Sequence, residues 1–247
     1  MLCYKKAFLR VVELWFDEAD TCPRADIVRH FQRTSPPEGC NCVPFHTLVT
    51  DLQLEASALF AKIKKDTRYE IRRGAEKDKL TCYVHNSVDA DTLSGFLHFY
   101  RGFAAANDLR PANNIRLQLL AEIGALYLSE ALDEDGRSLV WHAYCRFDDH
   151  RARLLYSASG LHAAANKGLI GRANRYLHWK DFLAFQALGT KLYDFGGWYE
   201  GTQDEKKIRI NQFKEEFGGT VVVNFNGLQG TTLKGKVGLW AYQQVHG

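Results

Sequence analysis

The stretch Asn174–Gly219 constrains the fold more than any other part of the chain. Ala173, Tyr176, Leu177, Leu183, Ala184 and Leu188 recur with a helical period, and Gly189 stands where a C-cap glycine belongs. Thr190–Phe195 mixes β-branched and aromatic residues and stops at Gly196–Gly197, which predicts a strand. A second helix, over about Asp204–Phe217, carries Ile210, Phe213 and Phe217 on an apolar side. Lys207, Asn211 and Lys214 form a polar stripe beside it, and Gly218–Gly219 closes the helix. The first helix has its own polar stripe, with Asn174, His178 and Asp181 at i, i+4 and i+7. The strand between them ends in Asp194, beside glycines that admit a close backbone. Two polar helix faces and an acid therefore converge on one strand end, where open sheets bind ligands.

The chain's 247 residues suffice for one large domain or two intimate subdomains. Apolar content of 46% with 25% charged residues fits a soluble globular protein, and a net charge of +3 is too small to predict nucleic-acid or membrane binding. No run reaches transmembrane length. Lys5 and Lys6 precede an apolar stretch, but Arg10 interrupts it and no small-residue cleavage site follows. The expectation is a cytoplasmic protein without membrane insertion, as monomer or homodimer. Six scattered cysteines do not form a secreted disulfide framework. Cys22, Cys40, Cys42 and His46 offer zinc-ligand types, but C-x-C lacks the usual C-x₂₋₄-C knuckle, so reduced thiols and no metal are expected.

Taken in order, Ala7–Phe16 reads as a strand, Asp26–Phe31 as a short helix, Thr34–Pro44 as a loop and Phe45–Leu52 as a strand. Leu59, Phe60, Ile63, Thr67 and Ile71 give one helical face ending near Gly74, with Lys64, Arg68 and Arg72 as a cationic ridge. After a short strand at Leu80–His85, Asp89 or Asp91 caps a helix that stops at Asn107, and Ile115–Ile123 adds a helix or turn. Three strands follow: Leu126–Leu132, Leu139–Phe147 and Arg153–Tyr156, the first two joined by a turn at Asp135–Gly136. The end of the chain predicts a strand over Thr220–Phe225, turns over Asn226–Gly235 and a last strand over Val237–Val245 that shows Trp240 and Tyr242 on one face.

The string LHW…YDFGG…INQFKEEFGG resembles the C-terminal half of FemABX-type transferases, a branch of the GNAT acyltransferase superfamily. The matching positions are Tyr193, Asp194, Phe195, Gly196 and Gly197 on a strand, then Phe213, Lys214, Phe217 and Gly218 on a helix. A fainter likeness covers Phe45–Lys77, and the good part covers roughly residues 150–220. The resemblance implies a mixed α+β fold: a GNAT-like central mixed sheet flanked by helices, with a partial GNAT-like N-terminal subdomain over 1–110 and an acyltransferase subdomain over 111–247. It also implies transfer of an aminoacyl or acyl group onto an amine of a cell-envelope precursor, such as a nucleotide-linked amino sugar or peptide. The donor would be acyl-CoA or aminoacyl-tRNA, with no tightly bound cofactor. An acyl-CoA-dependent N-acyltransferase of polysaccharide or small-molecule biosynthesis, and a non-catalytic binding module, are the alternatives.

Acyl transfer needs an activated carbonyl, an unprotonated amine and a stabilised oxyanion, but no enzyme nucleophile. The chain has no G-x-S-x-G elbow and no Cys-His signature, so direct transfer is the economical scheme. Lys214 is the first candidate to steady an oxyanion or a donor phosphate, Asp194 to accept a proton or orient the amine, and His178 to shuttle a proton. Arg68 and Arg72 offer guanidinium forks for a phosphorylated substrate. Tyr156, Ser159 and Asn174 supply neutral hydrogen bonds, and Trp198 and Phe213 wall a pocket. Lys167, Gly171 and Arg172 partly imitate the superfamily's Q/R-x-x-G-x-G/A pyrophosphate loop, where a glycine-bearing turn opens a helix.

Overall fold

A computed structural model describes residues 1–19, 24–160 and 167–246. The described residues form ten strands and seven helices in two compact units. The larger unit comprises residues 48–196 and 201–220. The smaller comprises residues 1–47, 197–200 and 221–247. The expected division near residue 110 falls inside the larger unit.

In the larger unit, strands β5 (Thr81–His85), β6 (Leu126–Leu132), β7 (Ser138–Arg146) and β8 (Arg151–Ser159) make an antiparallel meander. Helix α5 (Lys167–Ala187) then carries the chain to β9 (Leu192–Gly197), which pairs parallel with β8 in the register Arg153↔Asp194. A parallel pair needs such a crossover, and the helix period found in the sequence supplies it. The apolar face of α5 presents Ile170, Ala173 and Leu177 to Leu80, Ala131, Leu139 and Val140. Helix α3 (Ala90–Ala106) starts at Asp89, whose carboxylate accepts the Thr92 N–H at 2.8 Å, as its cap position predicts. Helix α4 is Asn114–Glu122, and α6 is Glu205–Glu215 with Asp204 as N-cap.

The single helix expected over 59–74 is two, α1 (Ala56–Lys62) and α2 (Lys65–Glu76). Ile63 and Lys64 adopt extended ψ between them, and Ile63 is buried. Gly219, just past α6, has φ +123° and would place a Cβ 2.6 Å from the Val49 carbonyl oxygen, so only glycine fits there.

In the smaller unit the strand order is β1 (Leu2–Lys6), β2 (Leu9–Trp15), β3 (Ile27–Arg33), β10 (Thr220–Gly230) and the first part of β4 (Asn41–Asp51). β1 and β2 form an antiparallel hairpin, while β2 and β3 run parallel. Val12, Leu14, Ala25 and Val28 form a core cluster here. Three sequence expectations are corrected. Asp26–Phe31 is strand rather than helix, because Ile27 and Val28 extend along β2 while the polar His30 and Gln32 are themselves buried. Asn226–Gly230 continues β10, and Gly227 serves close packing there: a Cβ would collide with the sulfurs of Cys40 and Cys42. The last segment is a helix, α7 (Leu233–His246), and not a strand. Gly235 and Gly238 let it lie directly on Asp26 and Leu9.

Candidate functional site

The polar stripe of α5 faces inward. His178 and Asp181 are fully buried under the sheet, and they meet His142 and Tyr144 of β7 and Tyr193 of β9. Asp181 fixes the direction of every hydrogen bond in this cluster, because a carboxylate only accepts. Its Oδ2 takes the Tyr144 hydroxyl proton at 2.5 Å and the His142 Nδ1–H at 2.8 Å. The Tyr144 oxygen then accepts from Tyr193 at 2.7 Å, and Tyr193 accepts from His178 Nδ1–H at 2.6 Å. On the other side, His142 Nε2 lies 2.8 Å from Asn174 Oδ1, a second acceptor. Both ring nitrogens of His142 are therefore engaged, Nδ1 with Asp181 and Nε2 with Asn174. His178 is neutral: burial first, then the nearby charge of His142, drives its pKa well below the usual 6.5.

Asn174 is where this network meets solvent. It lines a cavity of about 520 Å³ together with Ser159 and Gly160 at the end of β8, Lys167 and Gly171 on α5, and Phe213 on α6. Because its carbonyl end is held by His142, its amide N–H₂ is left to donate elsewhere. Phe103 and Asn107, from the end of α3, close the other wall. A larger groove of about 610 Å³ between α3 and α4 has Asp89 and Glu122 as its charged residues, and Asp89 is already the α3 cap.

Strand alternation separates the three expected catalytic residues. Tyr193 and Phe195 point toward His178, with the Phe195 ring 5.1 Å from the imidazole. Asp194 lies on the opposite face of β9. It is fully buried, accepts the Gly196 N–H at 2.7 Å and lies 3.5 Å from the Arg151 guanidinium. Gly196 turns at φ +75°, where a Cβ would approach the Leu154 carbonyl oxygen to 3.1 Å. Lys214 donates to the Gly196 carbonyl at 3.3 Å and is only 8% exposed. Burial lowers its pKa from 10.5 to about 8, opposed by Asp194 and reinforced by Arg153. Lys214 and Asp194 thus share the turn at the end of β9, as the sequence suggested, but inside the protein.

The expected sides of α6 hold in part, with Phe217 buried, Phe213 packed on His178 and Lys207 exposed. Asn211 and Lys214 are buried, while Ile210 is exposed.

The remaining candidates divide. Ser159, Asn174, Lys167, Gly171 and Phe213 come together around the cavity. Arg172 points the other way and pairs with Asp78. Arg68 donates to the carbonyls of Ala61 and Ile63, closing the end of α1. Arg72 lies 5.3 Å over the Phe60 ring. The Tyr156 hydroxyl accepts the Asn113 N–H at 3.0 Å, and its ring packs on Tyr100. Trp198 belongs to the smaller unit, where its N–H donates to the His46 carbonyl.

Sequence reasoning missed His142, Tyr144 and Arg175. Arg175 forms a two-toothed bond to Glu216 at 2.8 and 3.0 Å and covers Phe213. A histidine within the apolar run of β7 was the available signal for His142.

Of the cysteines weighed as zinc ligands, Cys22 lies outside the described residues, and His46 Nδ1 pairs with Glu200 at 2.9 Å. Burial, followed by Cys42, pushes the Cys40 thiol up to about 12. His142, His178 and Asp181 are the grouping of metal-ligand types among the described residues. The 2.8 Å between His142 Nδ1 and Asp181 is a hydrogen-bond distance, shorter than the separation of about 3.3 Å set by two ligands 2.0–2.1 Å from a tetrahedral zinc.

No protein-family model matches the chain, and no curated protein matches it in sequence. Solved structures do. FemX superposes with a TM-score of 0.61 at 13% identity, over 74% of this chain and 61% of the FemX chain. The fold is that of FemX. The C-terminal DUF2156 domain of an Agrobacterium fabrum protein assigned as a lysylphosphatidylglycerol synthetase gives 0.57 at 15% identity, over 86% of this chain and 70% of its own. L-PGS from Bacillus licheniformis gives 0.55 at 10% identity, over 87% and 71%. The chain therefore spans less than two thirds of FemX, and the likeness meets the sequence resemblance at the level of fold. No helix among the described residues is long and apolar enough to cross a membrane.

Proposed function

We propose that the chain transfers an acyl or aminoacyl group from an activated carbonyl donor to an amine, by direct attack within the cavity lined by Asn174. The amine nitrogen bonds to the donor carbonyl carbon, the C–O or C–S bond to the leaving group breaks, and the proton lost by the amine matches the one the leaving group gains. Asn174 donates its amide N–H to the oxyanion that develops between these events. Lys167, in the first turn of α5, receives a donor phosphate, favoured by the positive end of the helix. Phe103 and Phe213 keep water from the reacting carbonyl. Asp194 and Lys214 act as positioning residues that hold the β9 turn. The acceptor class is a nucleotide-linked amino sugar or a peptide amine of an envelope precursor. The names FemX and lysylphosphatidylglycerol synthetase among proteins of the same fold support an aminoacyl or acyl donor.

The observation that carries this reading is the sharing of Asn174 between the open cavity and the buried His142–Asp181 pair. A neutral amide with its carbonyl end held by His142 is preorganised as a donor toward the cavity. The test is a transfer assay with acyl-CoA thioesters and aminoacyl-tRNAs as donors and amino-sugar nucleotides and peptides as acceptors, alongside thermal shift with CoA and deacylated tRNA. Turnover that is lost in Asn174→Ala supports the reading. Turnover indifferent to that change moves the chemistry elsewhere, and no transfer with any donor favours a binding module.

A further inference from the structure

Helix α7 presents an apolar stripe to solvent. Leu233, Val237 and Trp240 recur at i, i+4 and i+7, and they are 80%, 58% and 63% exposed. The helix cannot roll to hide them. On its opposite side Gly235 would drive a Cβ into the Asp26 carbonyl, and Gly238 would place one 2.9 Å from the Leu9 side chain, so contact with the strands beneath fixes its rotation. Beside the stripe stands the tip of the β1–β2 hairpin, where Phe8 is 72% exposed and Lys234 Nζ lies 5.6 Å from its ring. Isolated exposed apolar residues are ordinary, but four adjoining ones of this size mark a contact surface.

The charge around the stripe identifies the partner. In residues 1–10, Lys6 pairs with Leu9 and so shares its side of the hairpin with α7, while Lys5 and Arg10 pair on the other side, and α7 contains Lys234 and Lys236. Neither segment contains an aspartate or glutamate. Five basic side chains on these two segments exceed the +3 of the whole chain, so the rest is net negative. Asp26, buried beneath the helix, bridges to Lys234 at 3.3 Å.

We infer that the outer face of α7, with the hairpin tip, docks on an anionic lipid bilayer. Leu233, Val237, Trp240 and Phe8 enter the headgroup–acyl boundary, and the lysines extend their stems to meet lipid phosphates. A second copy is disfavoured because two such faces carry like charge. Nucleic acid would satisfy the cations but offers nothing to Leu233 and Val237. This inference is independent of the transfer reaction.

The test is co-sedimentation of the purified chain with vesicles of phosphatidylglycerol in phosphatidylcholine, and with phosphatidylcholine alone. Pelleting is expected with the anionic vesicles only. It should weaken with added salt, and about fivefold for each of Lys6 and Lys236 changed to glutamine. Leu233→Glu and Trp240→Glu should abolish it with melting temperature unchanged, since both side chains are exposed. The proposal is overturned if anionic vesicles fail to pellet the protein, or if both glutamate variants pellet like the parent. It is equally overturned if deacylated tRNA, rather than vesicles, is bound through these residues. A dimer in solution that Trp240→Glu converts to monomer, without vesicle binding, would assign the face to a second copy instead.

Discussion

The imidazole of His142 and the carboxylate of Asp181 stand 2.8 Å apart with no solvent exposure at either side chain. Removing one partner leaves the other's hydrogen-bonding groups unpaired in a site where neither side chain is exposed. Asp181→Leu is expected to cost about 3–5 kcal/mol, whereas the double change His142→Leu, Asp181→Leu costs well under the sum of the singles. Urea unfolding of the four proteins measures the coupling. Additive losses would mean that the two groups do not stabilise one another.

His178 should remain uncharged through the physiological range, with its proton on Nδ1 facing Tyr193. Its folded pKa lies well below that of the unfolded chain, so the unfolded state binds the extra proton first. Stability is therefore complete above pH 6.5 and declines as the solution is acidified below it. Nitrogen NMR of labelled histidine would show one ring that does not titrate between neutral pH and the acid limb of unfolding. A His178 signal that titrates near 6.5 contradicts the assignment.

Lys214 shows the opposite economy of charge. With a folded pKa of about 8 against 10.5 when unfolded, its ammonium opposes folding at neutral pH, and stability rises as pH climbs between those two values. Lys214→Met should therefore raise stability at pH 7 by about 1–3 kcal/mol, and the gain should shrink by pH 10. Chemical denaturation at the two pH values decides it. A destabilised methionine variant at pH 7 would show that the ammonium's contacts outweigh its burial.

Gly219→Ala should lose about 2–3 kcal/mol or more, since alanine meets both a left-handed φ and the Val49 carbonyl. Gly95, exposed along α3 with open space around its Cα, is the control, because alanine there should be neutral or stabilising. Melting temperatures of the two variants should move apart. Similar values would remove the steric argument.

In the transfer assay, Lys167→Ala and Asn174→Ala should separate kinetically. Loss of a phosphate contact made equally in ground and transition states raises KM, while loss of an oxyanion donor lowers kcat by about 10²–10³-fold. Matching effects of both variants on KM alone would take Asn174 out of the oxyanion role.

Much of this architecture was legible because local pattern and tertiary role agree. The Asp89 cap, the meander turn at Gly136 and the crossover helix ending at Gly189 follow from short-range chemistry alone. What misled was long-range packing. Gly227, Gly235 and Gly238 read as turn or strand signals, yet they exist so that backbones can touch partners far away in sequence. The candidate site was half visible for the same reason. The stripe Asn174–His178–Asp181 pointed to α5 correctly, but its partners His142 and Tyr144 sit on a strand whose middle is otherwise apolar, and only sheet registry brings them under the helix. His178 and Asp194 do not share a face because successive strand residues look opposite ways, so Tyr193 turns to His178 and Asp194 turns away.

Helix α6 buries Asn211 and Lys214 and leaves Ile210 in water. Such a segment gains little from collapsing early, since its inward side chains need the Gly196 carbonyl and the neighbouring acid already in place. It should therefore join the folded core late and leave it early, its amides exchanging ahead of those of α5. The turn it helps to hold would then be governed by a reversible local opening, giving the region around β9 a timescale of its own.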